Sequence, residues 1–238
     1  MNFFDKLFLK LNLYHKIIFT KKIYFSFSGV DVILQKIFKT QNNGLYIDIG
    51  CQHPIKNNNT YLLYKKGWEG INVDLDEDNI KLFNSARPED YNFNKAVSSE
   101  VKDVELYFYH KKSPINTIDK KTSEFQKAKI SSVKSIKTDT LNNIISNTEY
   151  KDHSIDLLSI DVEGHELEVL KGFNLTKYKP KVIVVEYLDL KVSKLEIKNL
   201  TLDDVVNTEI YKYLSSKDYV LVNSIYCDLV FVNKKFRD

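Results

Sequence analysis

Short apolar runs recur along the chain, and each stops at an acid. LYIDIG (45–50), GINVDLD (70–76), DLLSID (156–161) and KVIVVEY (181–187) are apolar on both alternating faces, which predicts strands covered on both sides. Helix-length segments separate them: Val30 to Thr40, the stretch TYLLYKKGW, EGHELEVLKGF after residue 161, and a region near 202–216. NKAVSS (94–99), VELYFY (104–109) and VKSIKTDTL (133–141) predict further strands, and YVLVNSIYCDLVFVN predicts two strands joined by a short turn. The pattern is that of an α/β fold with a mainly parallel sheet, carrying an antiparallel strand at one edge.

The first thirty residues read differently. Phe3, Phe4, Leu7, Phe8 and Leu11 recur at helical spacing, and lysines at 6, 10, 16, 21 and 22 break every apolar run well before it could span a bilayer. We expect neither signal peptide nor membrane span, but an N-terminal helical extension (1–43) packed on the domain (44–238) or on a second subunit in a homodimer. A lid over a site, or membrane-surface contact, is the alternative. With 43% apolar and 28% charged residues the composition is that of an ordinary globular protein. The net charge of +3 is spread without a basic stripe, which argues against nucleic acid as a partner. Cys51 and Cys227 have unrelated spacing and suit neither a disulfide framework nor a zinc site, so a reducing cytoplasm is the expected compartment.

In open α/β sheets, ligands bind beyond the carboxyl ends of the strands. Asp48, Asp74, Asp161 and Glu186 stand at four such ends. Any one could be a solvated turn residue, but four on one rim describe a site. Gly50 lets the loop after the first strand approach a ligand closely. Asp74, ending the next strand, stands where nucleoside-binding folds place the carboxylate that accepts from ribose hydroxyls. The loop reads GCQHPIKNNNT and lacks GxGxxG, so the sequence supports a nucleoside better than a dinucleotide. VDLD (73–76) also mimics the D-x-D with which glycosyltransferases hold a metal and a sugar nucleotide, an alternative that leaves DVEGHE unexplained.

YIDIGCQHPIKNNNTYLLYKKGWEGINVDLD together with LLSIDVEGHELEVLKGF…KPKVIVVE resembles the FkbM family of S-adenosylmethionine-dependent methyltransferases over residues 44 to 233. The resemblance implies a Rossmann-like class I methyltransferase fold and O-methylation of a sugar, nucleotide-sugar or glycan. It implies that Asp48 and Gly50 form the first cofactor loop, that Asp74 binds ribose, that Ala96 and Val97 lie near adenine, and that Asn59 and Thr60 line the cofactor pocket. Cys51, Gln52, His53 and Pro54 depart from the common family loop, which keeps open a non-catalytic, cofactor-binding relative.

Methyl transfer to oxygen needs the acceptor hydroxyl aligned and deprotonated. His165 or Glu163 could serve as general base, with Asp161 beside them; otherwise Asp161, Glu163 and Glu186 could hold Mg²⁺ or Mn²⁺. The plain reading makes Glu163 and Glu166 helix N-terminal acids. Leu167, Leu170 and Phe173 read as core, Gly172 as a helix-end residue, His53 as a turn residue and Trp68 as packing. Loops 110–132 and 188–202 are expected to recognise the acceptor.

Overall fold

The computed structural model describes residues 3–11, 24–126, 128–187 and 201–237. Lys16, Lys21, Lys22 and most of the loop 188–202 lie outside them. Seven strands form the central sheet: β1 (Leu45–Ile49), β2 (Glu69–Asp74), β3 (Tyr91–Asn94), β7 (Leu157–Ile160), β8 (Val182–Glu186), β9 (Tyr219–Ile225) and β10 (Asp228–Asn233). Their order is β3-β2-β1-β7-β8-β10-β9. A smaller sheet joins β4 (Ala96–Val97), β6 (Ser132–Asp139) and β5 (Asp103–Phe108).

Strands β3, β2, β1, β7 and β8 run parallel, and β10 runs antiparallel to both of its neighbours. The reversed strand is thus one in from the edge, not at the edge as its hairpin suggested. Its fully apolar centre, LVFV, is buried, whereas β9 carries the exposed Asn223 and Ser224 and tolerates the rim. Hydrophobicity chose which arm of the hairpin went inside.

Strand alternation sorts the core into two layers. Leu45, Ile47, Ile49, Leu158, Ile160, Ile183 and Val185 face α6 (Leu141–Ser146), α7 (Glu166–Lys171), α8 (Leu175–Tyr178), α9 (Leu202–Asn207) and α10 (Glu209–Ser215). Tyr46, Leu157, Val182 and Val184 face α2 (Val30–Ile37) and α3 (Tyr61–Tyr64). The 202–216 helix is two helices, because Thr208 caps the second by accepting from the Tyr211 N–H. α4 (Glu77–Ala86) and α5 (Lys120–Phe125) complete the described connections near the site, and Asp76 caps α4 by accepting from the Asp78 N–H.

The segment before residue 44 does two things. α1 (Phe3–Leu9) leaves Phe3 and Phe4 72% and 77% exposed, and Leu7 is exposed as well. Nothing described covers that face; the Phe8 side chain lies outside the described residues. α2 instead belongs to the sheet layer, with Val30, Leu34 and Phe38 buried against Trp68 and the strands. Trp68 packs edge-on to Phe38 at 4.8 Å between ring centroids, a core residue as its sequence context implied.

Candidate active site

Register decides which strand-end residues meet. Ile49 pairs with Val73 on β2 and with Ile160 on β7, Ile160 pairs with Val185 on β8, and Glu186 pairs with Asp228 on β10. One residue further along β2, β1 and β7, and at the β8–β10 pair itself, the chain therefore lines up Asp74, Gly50, Asp161, Glu186 and Asp228 in a single cross-strand row. Because β10 is reversed, its first residue rather than its last enters this rim. Gly50 has φ +78°, and a Cβ on it would stand 1.6 Å from the Asp161 carbonyl oxygen. The position needs glycine because β1 and β7 close on each other there.

Asp48 sits two residues below the row and pairs with Asn72 and Ser159. Its carboxylate is buried and accepts from Asn58 Nδ2 at 3.0 Å and Thr60 Oγ1 at 2.9 Å. Burial raises its pKa, partly opposed by the Arg87 charge. Arg87 is fully buried; it donates to Thr60 Oγ1 at 2.9 Å, Asn58 Oδ1 at 2.7 Å, the Tyr46 hydroxyl and the Pro54 carbonyl. Its guanidinium also lies 5.0 Å from the ring centroids of Tyr64 and Phe83. Asn59 Nδ2 reaches Ser159 Oγ at 3.2 Å. HPIKNNNT is thus a loop clamped to β1 through Asp48, Asn58 and Thr60 and tied to β7 through Asn59, and Asp48, Asn59 and Thr60 are not among the residues that line the cavity. His53 Nδ1 accepts from the Ile55 and Lys56 N–H groups, a turn role.

The cavity lies above the row and measures about 740 Å³ including its open mouth. Gly50, Gln52, Asp74, Asp76, Asn79, Lys95, Ala96 and Val97 wall one end, Asp161, Val162 and Glu163 the other, and Ser113, Pro114, Asn116 and Ile118 come from the 110–132 loop. Asp74 is buried and holds its own loop: Oδ2 accepts from the Gln52 N–H at 2.9 Å and Oδ1 from the Asp76 N–H at 2.7 Å. Burial pushes its pKa up to about 6 against those hydrogen bonds. The Asp76 oxygens accept from the backbone N–H groups of Asp78 and Lys112. Both acids of VDLD are therefore committed to backbone donors.

DVEGHE is a turn wound around one side chain. Buried Glu166 reaches back, and its Oε1 accepts from the Val162 and Gly164 N–H groups, each at 3.0 Å. Glu163 and Gly164 both adopt positive φ, at 56° and 98°. A Cβ on Gly164 would meet Thr122 Oγ1 at 2.1 Å, so the turn is pressed against α5. These two left-handed residues send Glu163 to the cavity and His165 away from it. His165 Nε2 lies 2.9 Å from Ser98 Oγ, and the ring lines a separate groove with Asp119, Lys121 and Glu168. Burial lowers its pKa. The expected meeting of His165 with Asp161 and Glu163 at one point does not occur in this geometry.

Asp161, Glu163 and Glu186 do converge: each offers an oxygen within 4.8 Å of the others. Burial, then the charges of Asp228, Glu166 and Asp48, push Asp161 up to about 7, while Glu186 beside it opposes the rise. Glu186 is raised well above the carboxylate range by burial and then by Asp161, Glu163 and Glu166. Cys51 and Cys227 are buried, and burial pushes both thiols up, so both are protonated.

A family model described as the methyltransferase FkbM domain matches residues 48–221. The chain belongs to the FkbM methyltransferase family. Among curated proteins no match to the chain is found. FkbM membership makes the protein a methyltransferase and suggests S-adenosylmethionine as its cofactor. It also displaces the glycosyltransferase reading of VDLD, whose acids are a loop anchor and a helix cap. Within this FkbM domain, sequence reasoning missed Arg87, Asn58 and Asp228. Asp228 opens an apolar run instead of closing one, so only strand direction could have placed it on the rim.

Proposed function

We propose that this chain is an S-adenosylmethionine-dependent O-methyltransferase acting on a hydroxyl of a sugar, nucleotide-sugar or glycan. The observation that carries the reading is the division of one cavity: Asp74 and Asp76 beside the apolar Val73, Leu75, Ala96 and Val97 at one end, and the Asp161–Glu163 rim at the other. Asp74 suits ribose hydroxyls, and Val73, Leu75, Ala96 and Val97 suit a flat adenine. The donor set fits the cofactor. When bound, S-adenosylmethionine supplies an electrophilic methyl group on a sulfonium.

The chain's own groups have two tasks. The rim must seat the acceptor oxygen in line with the methyl carbon, and it must handle the hydroxyl proton. Asp74 would hold the cofactor while it gives up its methyl group and departs as a neutral thioether, with the hydroxyl proton released at the Asp161–Glu163 rim. The open mouth beside the Asp161–Glu163 rim gives that proton a way out to water. An acid-lined end also favours a neutral hydroxyl over an anionic nucleophile.

The test has two parts. S-adenosylhomocysteine should raise the melting temperature, and labelled methyl from S-adenosylmethionine should appear on members of a sugar and nucleotide-sugar panel. A folded protein that shows no shift at saturating S-adenosylhomocysteine would sink the cofactor assignment. Binding without transfer to any hydroxyl acceptor would favour the non-catalytic relative.

A further inference from the structure

Packing three carboxyl groups within 4.8 Å is unfavourable unless a proton or a cation sits among them. One proton can join two of them, and the third still faces the pair. Glu186, 7% exposed, carries an Oε2 that receives no hydrogen bond from any donor outside the acid cluster among the described residues, while its Oε1 takes the Cys227 thiol at 3.1 Å. The charges acting on Asp161 and Glu186 come from other acids, and among the described residues no ion pair supplies either with a lysine or arginine. A buried oxygen that has only other acids for neighbours points to a ligand.

We propose that Asp161, Glu163 and Glu186 bind one divalent cation, Mg²⁺ or Mn²⁺, at the acceptor end of the cavity. Oxygen is the sole donor type offered, which selects a hard cation over zinc; the neighbouring Cys227 stays a thiol and is no ligand. Asp161 and Glu163 line the cavity and Glu186 lies behind them, so the coordination positions the protein leaves free open toward the acceptor. That arrangement favours an acceptor with two neighbouring hydroxyls, which can chelate the ion as a vicinal diol does. Ligation lowers the pKa of the bound hydroxyl, and its proton passes to water at the cavity mouth instead of directly to a carboxylate. The inference rests on reading this cavity as the active site, but it is separable from the identity of the cofactor.

The experiment uses the full chain, stripped with a chelator and titrated with MnCl₂ by the loss of the free-ion paramagnetic resonance signal and by calorimetry. One Mn²⁺ per chain, displaced by Mg²⁺, is expected. Glu186→Gln and Glu163→Gln should each weaken it by about tenfold or more, with S-adenosylhomocysteine affinity within about threefold of the parent. If Glu186→Gln disturbs the core, Glu163→Gln, half-buried in the turn, carries the test. Absence of stoichiometric Mn²⁺ binding, or binding unchanged in Glu163→Gln, overturns the proposal. Mn²⁺ binding without S-adenosylhomocysteine binding would leave the ion site standing and defeat the cofactor reading instead.

Discussion

Asp74 offers the most direct quantitative check. Its carboxyl group is buried and titrates near pH 6 in the free protein, although both oxygens already accept backbone N–H groups. Ribose hydroxyls would add donors to the ionised form, so cofactor binding favours the carboxylate. The apparent dissociation constant then scales as one plus the ratio of protonated to ionised Asp74. With a pKa of about 6, S-adenosylhomocysteine should bind about tenfold more weakly at pH 5 than at pH 7, or about 1.4 kcal/mol. Asp74→Asn removes the titration and puts an NH₂ against a backbone donor, costing about 1–3 kcal/mol and flattening the profile. Stability has its own sign. The folded pKa is raised, so the group's favourable contribution is complete below pH ~4 and is lost as pH rises through about 6. Calorimetric titration at both pH values, parent against Asp74→Asn, is the assay. Equal affinities for the parent at pH 5 and pH 7 would refute the assignment of Asp74 to the ribose.

Three further outcomes are expected. Gly50→Ala should lose more than the roughly 1–2 kcal/mol of a left-handed alanine, since its Cβ meets the Asp161 carbonyl, and urea denaturation reads that directly. Arg87→Met should cost about 3–5 kcal/mol by leaving Asp48 buried without its counter-charge; a variant within 1 kcal/mol of the parent by the same assay would dismiss the clamp. His165→Ala should lose about 1 kcal/mol with the Ser98 contact and change turnover by no more than about threefold, whereas a loss of a hundredfold or more would restore it as a base.

Much of the sheet was legible because buried parallel strands are apolar on both faces, and the strand-end acids stood out as abrupt breaks in those runs. Asp74, Asp161, Glu163, Ala96, Val97 and Gly50 all reach the cavity wall. Asp48 looked equivalent to Asp74, but it lies inside β1, two residues before the row position held by Gly50, and so sits one full strand repeat beneath the rim. His165 looked equivalent to Glu163 because spacing along a turn is blind to φ; two consecutive left-handed residues separate their directions. The Arg87 clamp joins residues 27 to 41 positions apart and has no local signature. The order of β9 and β10 depended on which hairpin arm was the more apolar, a comparison that only matters once the hairpin docks.

That hairpin has a consequence for synthesis. β10 is the last strand of the sheet to leave the ribosome, yet it delivers Asp228 beside Glu186 and the Cys227 thiol onto it. Until it arrives, β8 is an open edge with its terminal carboxylate in water, where that group is comfortable. The acidic chamber is therefore complete only when the β9–β10 hairpin docks, because Asp228 and the Cys227 thiol reach Glu186 from that hairpin.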